Sequence, residues 1–313
     1  MTPLQQHGRT IDGMSAVLLT HHVDGSIDWS SFEAHLARTA AAGLTPAVNM
    51  DTGFVQLLEP GTRRHVLDLA RRTVDRFVAG AFVADDDGSA YDPGAMARSC
   101  AEVAEAGGTP VVFPSWGLNA LDDDAWVAAM AELGSSCDRF IGFELGSMFV
   151  PYGRIRGLDA YDGLLGVDAC IGAKHSSLSR QAEWDRLALR DRRRPDFAVF
   201  TGNDLAIDMV VYGSDYLLGL STFAPDLFGV RDRLWRDDDA RFWEVNDLLQ
   251  YLGMFAFRAP VPAYRHDAAM FLELRGWAAS SAVPDGAPRR PDSDRAVLSD
   301  IAERVDALMD ALA

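Results

Sequence analysis

Apolar, β-branched runs alternate with longer stretches whose apolar residues fall three and four positions apart, and the pattern holds from Ala16 to Leu220. A chain written this way builds parallel strands joined by helical crossovers, because each strand must be covered by the helix that follows it. The strand-like runs are 16–19, 46–49, 77–82, 110–113, 140–144, 169–173, 197–200 and 216–220. Eight such runs are the number that closes a (β/α)8 TIM barrel, the expected fold class. Helical periodicity falls in 30–42, 61–75, 93–106, 123–133 and 179–189, with Ser30 and Asp123 as N-caps and Gly43 and Gly107 as stops. After the eighth run the alternation ends. Segments 241–274 and 292–312 read as helices, giving a barrel over 1–230 and a C-terminal helical extension over 231–313 packed on it.

The basic residues carry the strongest chemical signal. Of 29 Lys and Arg positions, 28 are arginine and one, Lys174, is lysine. On a surface either cation serves for solvation, so a chain drawn so strongly to arginine keeps lysine where arginine fails. A desolvated amine nucleophile is such a place: guanidinium stays protonated, whereas an amine in an apolar pocket loses its proton and attacks carbonyl carbon. Lys174 closes the sixth predicted strand, and the C-terminal ends of barrel strands carry the active site.

Other features exclude function classes. A formal charge of −17 disfavours nucleic acid and anionic membrane as partners. There is no apolar run long enough to span a membrane, and the first residues lack a secretory pattern, so a cytoplasmic location is expected. Cys100, Cys137 and Cys170 have irregular spacing and are read as buried free thiols. The acidic runs 85–87, 122–124 and 237–239 are read as solvated loops or helix starts. No Walker loop or GxGxxG opening a helix is present, and no cofactor or resident metal is expected.

Several stretches resemble the class I aldolase superfamily that includes dihydrodipicolinate synthase and N-acetylneuraminate lyase. They are Ala16-Val-Leu-Leu-Thr20, Asp24-Gly-Ser-Ile-Asp28, Met50-Asp-Thr-Gly53, the lysine context Ile171-Gly-Ala-Lys174, the turn Phe200-Thr-Gly-Asn-Asp204, and Gly213 to Pro225. The resemblance implies that Lys174 forms a Schiff base with a small carbonyl substrate, in a homo-oligomer (dimer or tetramer). It also implies that Asp51, Thr52 and Asn203 contact substrate. Two departures matter. Where the family has paired threonines for the pyruvate carboxylate, this chain has Asp51-Thr52, and a carboxylate there repels another. That favours a hydroxyl-bearing, sugar-derived substrate. Where the family has a proton-shuttling tyrosine on strand five, Glu144 stands nearest, with Tyr152 as its rival. Glu144 has a structural reading as well, a buried pair with Arg154 or Arg156. Arg154 is a candidate for a distal substrate group, and His175 and Ser176 either orient substrate or cap the next helix. Two alternatives stand beside the lyase: a metal-dependent sugar isomerase or epimerase using His21, Asp51, Glu144 and His175, and an inactive sugar-binding barrel.

Overall fold

The computed structural model describes residues 4–312. Eight parallel strands close into a barrel in sequence order: β1 (Gly13–Ala16), β2 (Thr45–Val48), β3 (Val78–Ala81), β4 (Thr109–Val112), β5 (Phe140–Leu145), β6 (Cys170–Ser176), β7 (Ala198–Thr201) and β8 (Asp215–Leu218). β8 returns to pair with β1, so no sheet edge is left open. Side chains alternate between the barrel interior and the surrounding helices. The interior is filled by Met14, Ala16, Ala47, Val78, Val111, Ile141, Phe143, Phe200 and Leu217.

The crossover helices are α1 (Trp29–Ala41), α2 (Pro60–Thr73), α3 (Pro93–Glu105), α4 (Trp116–Ala120), α5 (Asp123–Gly134), α6 (Leu158–Leu165), α7 (Arg180–Arg193) and α8 (Pro225–Arg236). Gly43 and Gly107 stop α1 and α3 at φ of 89° and 86°, as their positions predict. The N-caps fall earlier than expected: Asp28 rather than Ser30 accepts the Ser31 N–H, and Asp122 rather than Asp123 accepts the Ala125 N–H. Helices α4, α6 and α8 were not legible in the periodicity. The first two have five and eight residues, too short for a repeat to declare itself, and α8 mixes its apolar positions with five charged ones.

The C-terminal part forms α9 (Phe242–Ala256), α10 (Tyr264–Leu274) and α11 (Asp294–Leu312). The single helix expected over 241–274 is therefore two, broken where Pro260 and Pro262 remove backbone donors and clash with a continuing helix. Helix α8 runs through the boundary expected at residue 230. Leu249, Leu252, Ala256, Tyr264, Ala268 and Phe271 share one apolar cluster with Val17, Leu18, Leu220 and Phe223, so the extension covers the β8–β1 side of the barrel. Cys100, Cys137 and Cys170 are buried free thiols. Among the described residues no helix is long and apolar enough to cross a membrane.

Gly229 lets α8 lie directly on the end of α1: a Cβ there would stand 2.2 Å from the Ala42 carbonyl oxygen. Gly229→Ala is expected to cost about 1–3 kcal/mol through overpacking, read as a lower urea midpoint at unchanged slope.

Candidate active site

Lys174 lies inside β6, not at its end; the strand continues through His175 and Ser176. Its register neighbours are Phe143 on β5 and Phe200 on β7, both interior residues. The amine sits 4.4 Å from the Phe143 ring centroid. Among the described residues none forms a hydrogen bond or ion pair with it. The turn after β7 packs on its last methylenes, and a Cβ on Gly202 would come within 2.9 Å of Lys174 Cε and 2.0 Å of Ser176 Oγ. Burial lowers the pKa of Lys174, while the negative charges of Asp51 and Asp204 pull it partly back. The neutral amine is thus favoured by desolvation and kept within reach of acids.

Asp51 and Thr52 occupy a tight turn after β2 (Asp51–Gly53), and both are buried. The turn is held from the other end of the chain. Tyr264, the first residue of α10, donates its hydroxyl to Asp51 Oδ2 at 3.0 Å and lies 2.7 Å from Thr52 Oγ1. Arg265 donates to the Asp51 carbonyl at 3.0 Å. No donor of the described residues reaches Asp51 Oδ1, which is buried.

Asp204 completes the acidic side of the site. Its Oδ1 accepts the Leu220 N–H at 2.7 Å. Burial raises its pKa to about 7 and Asp51 adds to the rise, against the opposing effects of the Leu220 N–H and Lys174. The sequence pointed one residue short, to Asn203, whose side chain instead caps its own turn by accepting the Leu205 N–H. Tyr264 gave no local signal at all, since its partners lie more than 200 residues away.

Glu144 does not join this group. Because β5 pairs Phe143 with Lys174 and Glu144 with His175, Phe143 points inward beside the lysine and Glu144 points out toward the helices. There it accepts from Arg186 Nε (2.7 Å) and Nη2 (2.8 Å), from the Arg156 backbone N–H (2.9 Å) and from His175 Nδ1 (3.0 Å). Burial by itself would raise Glu144, but His175 and Arg186 outweigh it and hold the carboxyl at about 2. It is a fixed anion with no proton to lend at neutral pH. The buried pair anticipated with Arg154 or Arg156 is made with the Arg186 side chain of α7 instead.

His175 shares this outer face, bonded to Glu144 and to Ser177 Oγ, so both side chains lie on the face of the sheet away from Lys174. Nor does His175 or Ser176 cap the next helix, which starts at Arg180 with Ser179 as its N-cap. Ser176 points inward beside Lys174, against Gly202. Arg154 is spent on the Asn119 and Leu121 carbonyls and on Asp123, clamping the loop after β5. Tyr152 is half-buried against Trp116, and burial together with Asp85 and Asp51 raises its phenol to about 12, leaving it a proton donor at the barrel mouth. The four residues of the metal alternative do not converge, because Glu144 and His175 face away from Asp51. Among the described residues no group of three or more His, Cys, Asp or Glu is arranged to hold a metal ion.

Two stability measurements check these charge states, and their signs are opposite. Glu144 titrates below its unfolded value, so its stabilising effect is full above about pH 4.5 and lost as pH falls toward 2. Glu144→Gln should cost about 3–5 kcal/mol at pH 7, with the gap to the parent closing over that acid range. Asp204 titrates above its unfolded value, so its contribution is full below about pH 3.8 and lost as pH rises through 7. Asp204→Asn should therefore gain stability relative to the parent between pH 4 and pH 8.

No family model matches the sequence, and no curated protein matches it at a significant level. Solved structures do match, nearly end to end. Dihydrodipicolinate synthase from Thermotoga maritima superposes with a TM-score of 0.78 at 15% identity, covering 95% of this chain and 99% of that one. The chloride-inhibited dihydrodipicolinate synthase from Acinetobacter baumannii, complexed with pyruvate, gives 0.77 at 14% identity, covering 95% and 99%. A prophage protein of the dihydrodipicolinic acid synthase family from E. coli K12, in complex with pyruvate, gives 0.75 at 16% identity, covering 94% and 98%. At 14–16% identity the chain shares the fold of these proteins, an eight-stranded parallel barrel with C-terminal helices.

Proposed function

We propose that this protein is a Schiff-base-forming lyase acting on a small carbonyl compound, with Lys174 as the nucleophile. The observation that carries the reading is the buried amine of the chain's one lysine, free of any ion pair among the described residues and set between an aromatic wall and two carboxyl groups. The fold agrees with it, although fold alone does not choose an activity. The neutral amine adds to the carbonyl carbon and the carbinolamine loses water. The imine then accepts electrons from the neighbouring carbon during carbon–carbon cleavage, condensation or dehydration. Phe143 stands beside the lysine and has no proton to give, so the transfers fall to Asp204, which titrates at about 7, and to Tyr152, protonated near neutral pH, both on the acidic side of the site.

Two of the structural neighbours were solved with pyruvate. In this chain, however, Asp51 stands close enough to influence Lys174, and its charge repels a carboxylate while its oxygens accept from hydroxyls. The reading therefore favours a hydroxyl-bearing, sugar-derived carbonyl compound over plain pyruvate. It includes a homo-oligomer, dimer or tetramer, which sedimentation equilibrium tests.

Sodium borohydride trapping across a panel of 2-oxo acids, ketoses, aldoses and deoxy-keto sugars is the deciding experiment, read by intact mass and peptide mapping. The expected result is a reduced adduct on the Lys174 peptide, absent from Lys174→Ala, which should retain its fold and lose turnover. Failure of every panel member to leave an adduct sinks the lyase reading, and reversible sugar binding would then point to a non-catalytic barrel.

A further inference from the structure

One part of the site comes from outside the barrel. Tyr264 and Arg265 belong to α10, yet their polar groups end on the Asp51–Thr52 turn. The Tyr264 ring is fixed from both sides, stacked on Phe257 at 4.2 Å and packed against Gly219, where a Cβ would come within 3.0 Å of the ring. A phenol held this firmly sets the orientation of the carboxylate it bonds. With Oδ2 taken by Tyr264, Asp51 keeps Oδ1 buried and beyond the reach of every donor among the described residues. A buried acceptor without a donor costs about 1–3 kcal/mol, a penalty that a ligand donor removes.

We propose that Tyr264 determines which carbonyl compounds the site accepts: it fixes Asp51 so that Oδ1 is presented to a hydroxyl on the carbon next to the substrate carbonyl. The preferred class is then α-hydroxy ketones and aldehydes. This rests on the Schiff-base reading above and adds its specificity. The charges around Asp51 agree with a neutral donor. The carboxyl groups of Asp51 and Asp204 both act on the Lys174 amine, and that acidic side of the pocket disfavours a second carboxylate. Thr52 shares the Tyr264 hydroxyl, so one phenol positions two residues. Tyr264 is a positioning residue and needs no contact with substrate.

The test uses borohydride trapping on Lys174 in the full chain with hydroxyacetone, acetone and pyruvate, giving a half-saturating concentration and a limiting rate for each. In the parent, hydroxyacetone should half-saturate at a concentration about tenfold below acetone and pyruvate, the worth of one hydrogen bond. Tyr264→Phe should raise that value toward the acetone value while the acetone value itself stays put. Asp51→Ala, which leaves α10 untouched, should reproduce the loss if the tyrosine variant folds poorly. A general weakening of all three probes by Tyr264→Phe, or a parent that takes pyruvate best, overturns the proposal and leaves the Schiff-base reading intact. No adduct from any of the three overturns both.

Discussion

Everything in this site depends on the desolvation of one amine. An exposed lysine is a solvated cation, useless as a nucleophile near neutral pH, and the barrel supplies what water would otherwise prevent. Phe143 and Phe200 flank Lys174 through strand register, and Gly202 lets the next turn close on its terminal carbons. The cost of burying this group is met by keeping it neutral, with Asp51 and Asp204 near enough to oppose part of that shift. The outer face of the same strand solves a different problem. There Glu144, His175 and Arg186 form a fully bonded buried cluster that ties β5 and β6 to α7 and fixes the strand on which the lysine is mounted. One strand thus carries a reactive group on one face and its anchorage on the other.

The architecture was legible in the sequence because it rests on periodicity. Each of the eight strands lies within a few residues of its apolar run, and the two glycine stops fall where the helices end. Lys174 was legible for another reason, its solitude in an arginine-rich chain. The direction of side chains was harder to read. A shift of one residue in strand phase moves a side chain from the interior to the outer face. That shift separates Phe143 from Glu144, and nothing local in the Phe-Glu pair decides which of them faces the lysine. The same ambiguity made His175 look like a site residue when it belongs to the outer cluster.

Asp204 and Tyr264 escaped for reasons of distance. A buried aspartate in a polar turn has no sequence mark until the surrounding burial is known, and Asn203 beside it looked equally suited. Tyr264 sits in a helix that reads as an appendage, far along the chain from the turn it holds. The break at Pro260 and Pro262 is what brings α10 to the barrel mouth, and a continuous helix over 241–274 would have carried that tyrosine elsewhere.

That arrangement bears on how the protein is made. The barrel can close once β8 has been synthesised, because β1 is already waiting for it. At that moment Lys174, Asp204 and the Asp51–Thr52 turn all exist, but the phenol that orients the turn does not. On the proposed reading, the residues around Lys174 are thus all present in the chain before the phenol that orients the Asp51–Thr52 turn has been made, and that turn is completed by a later segment.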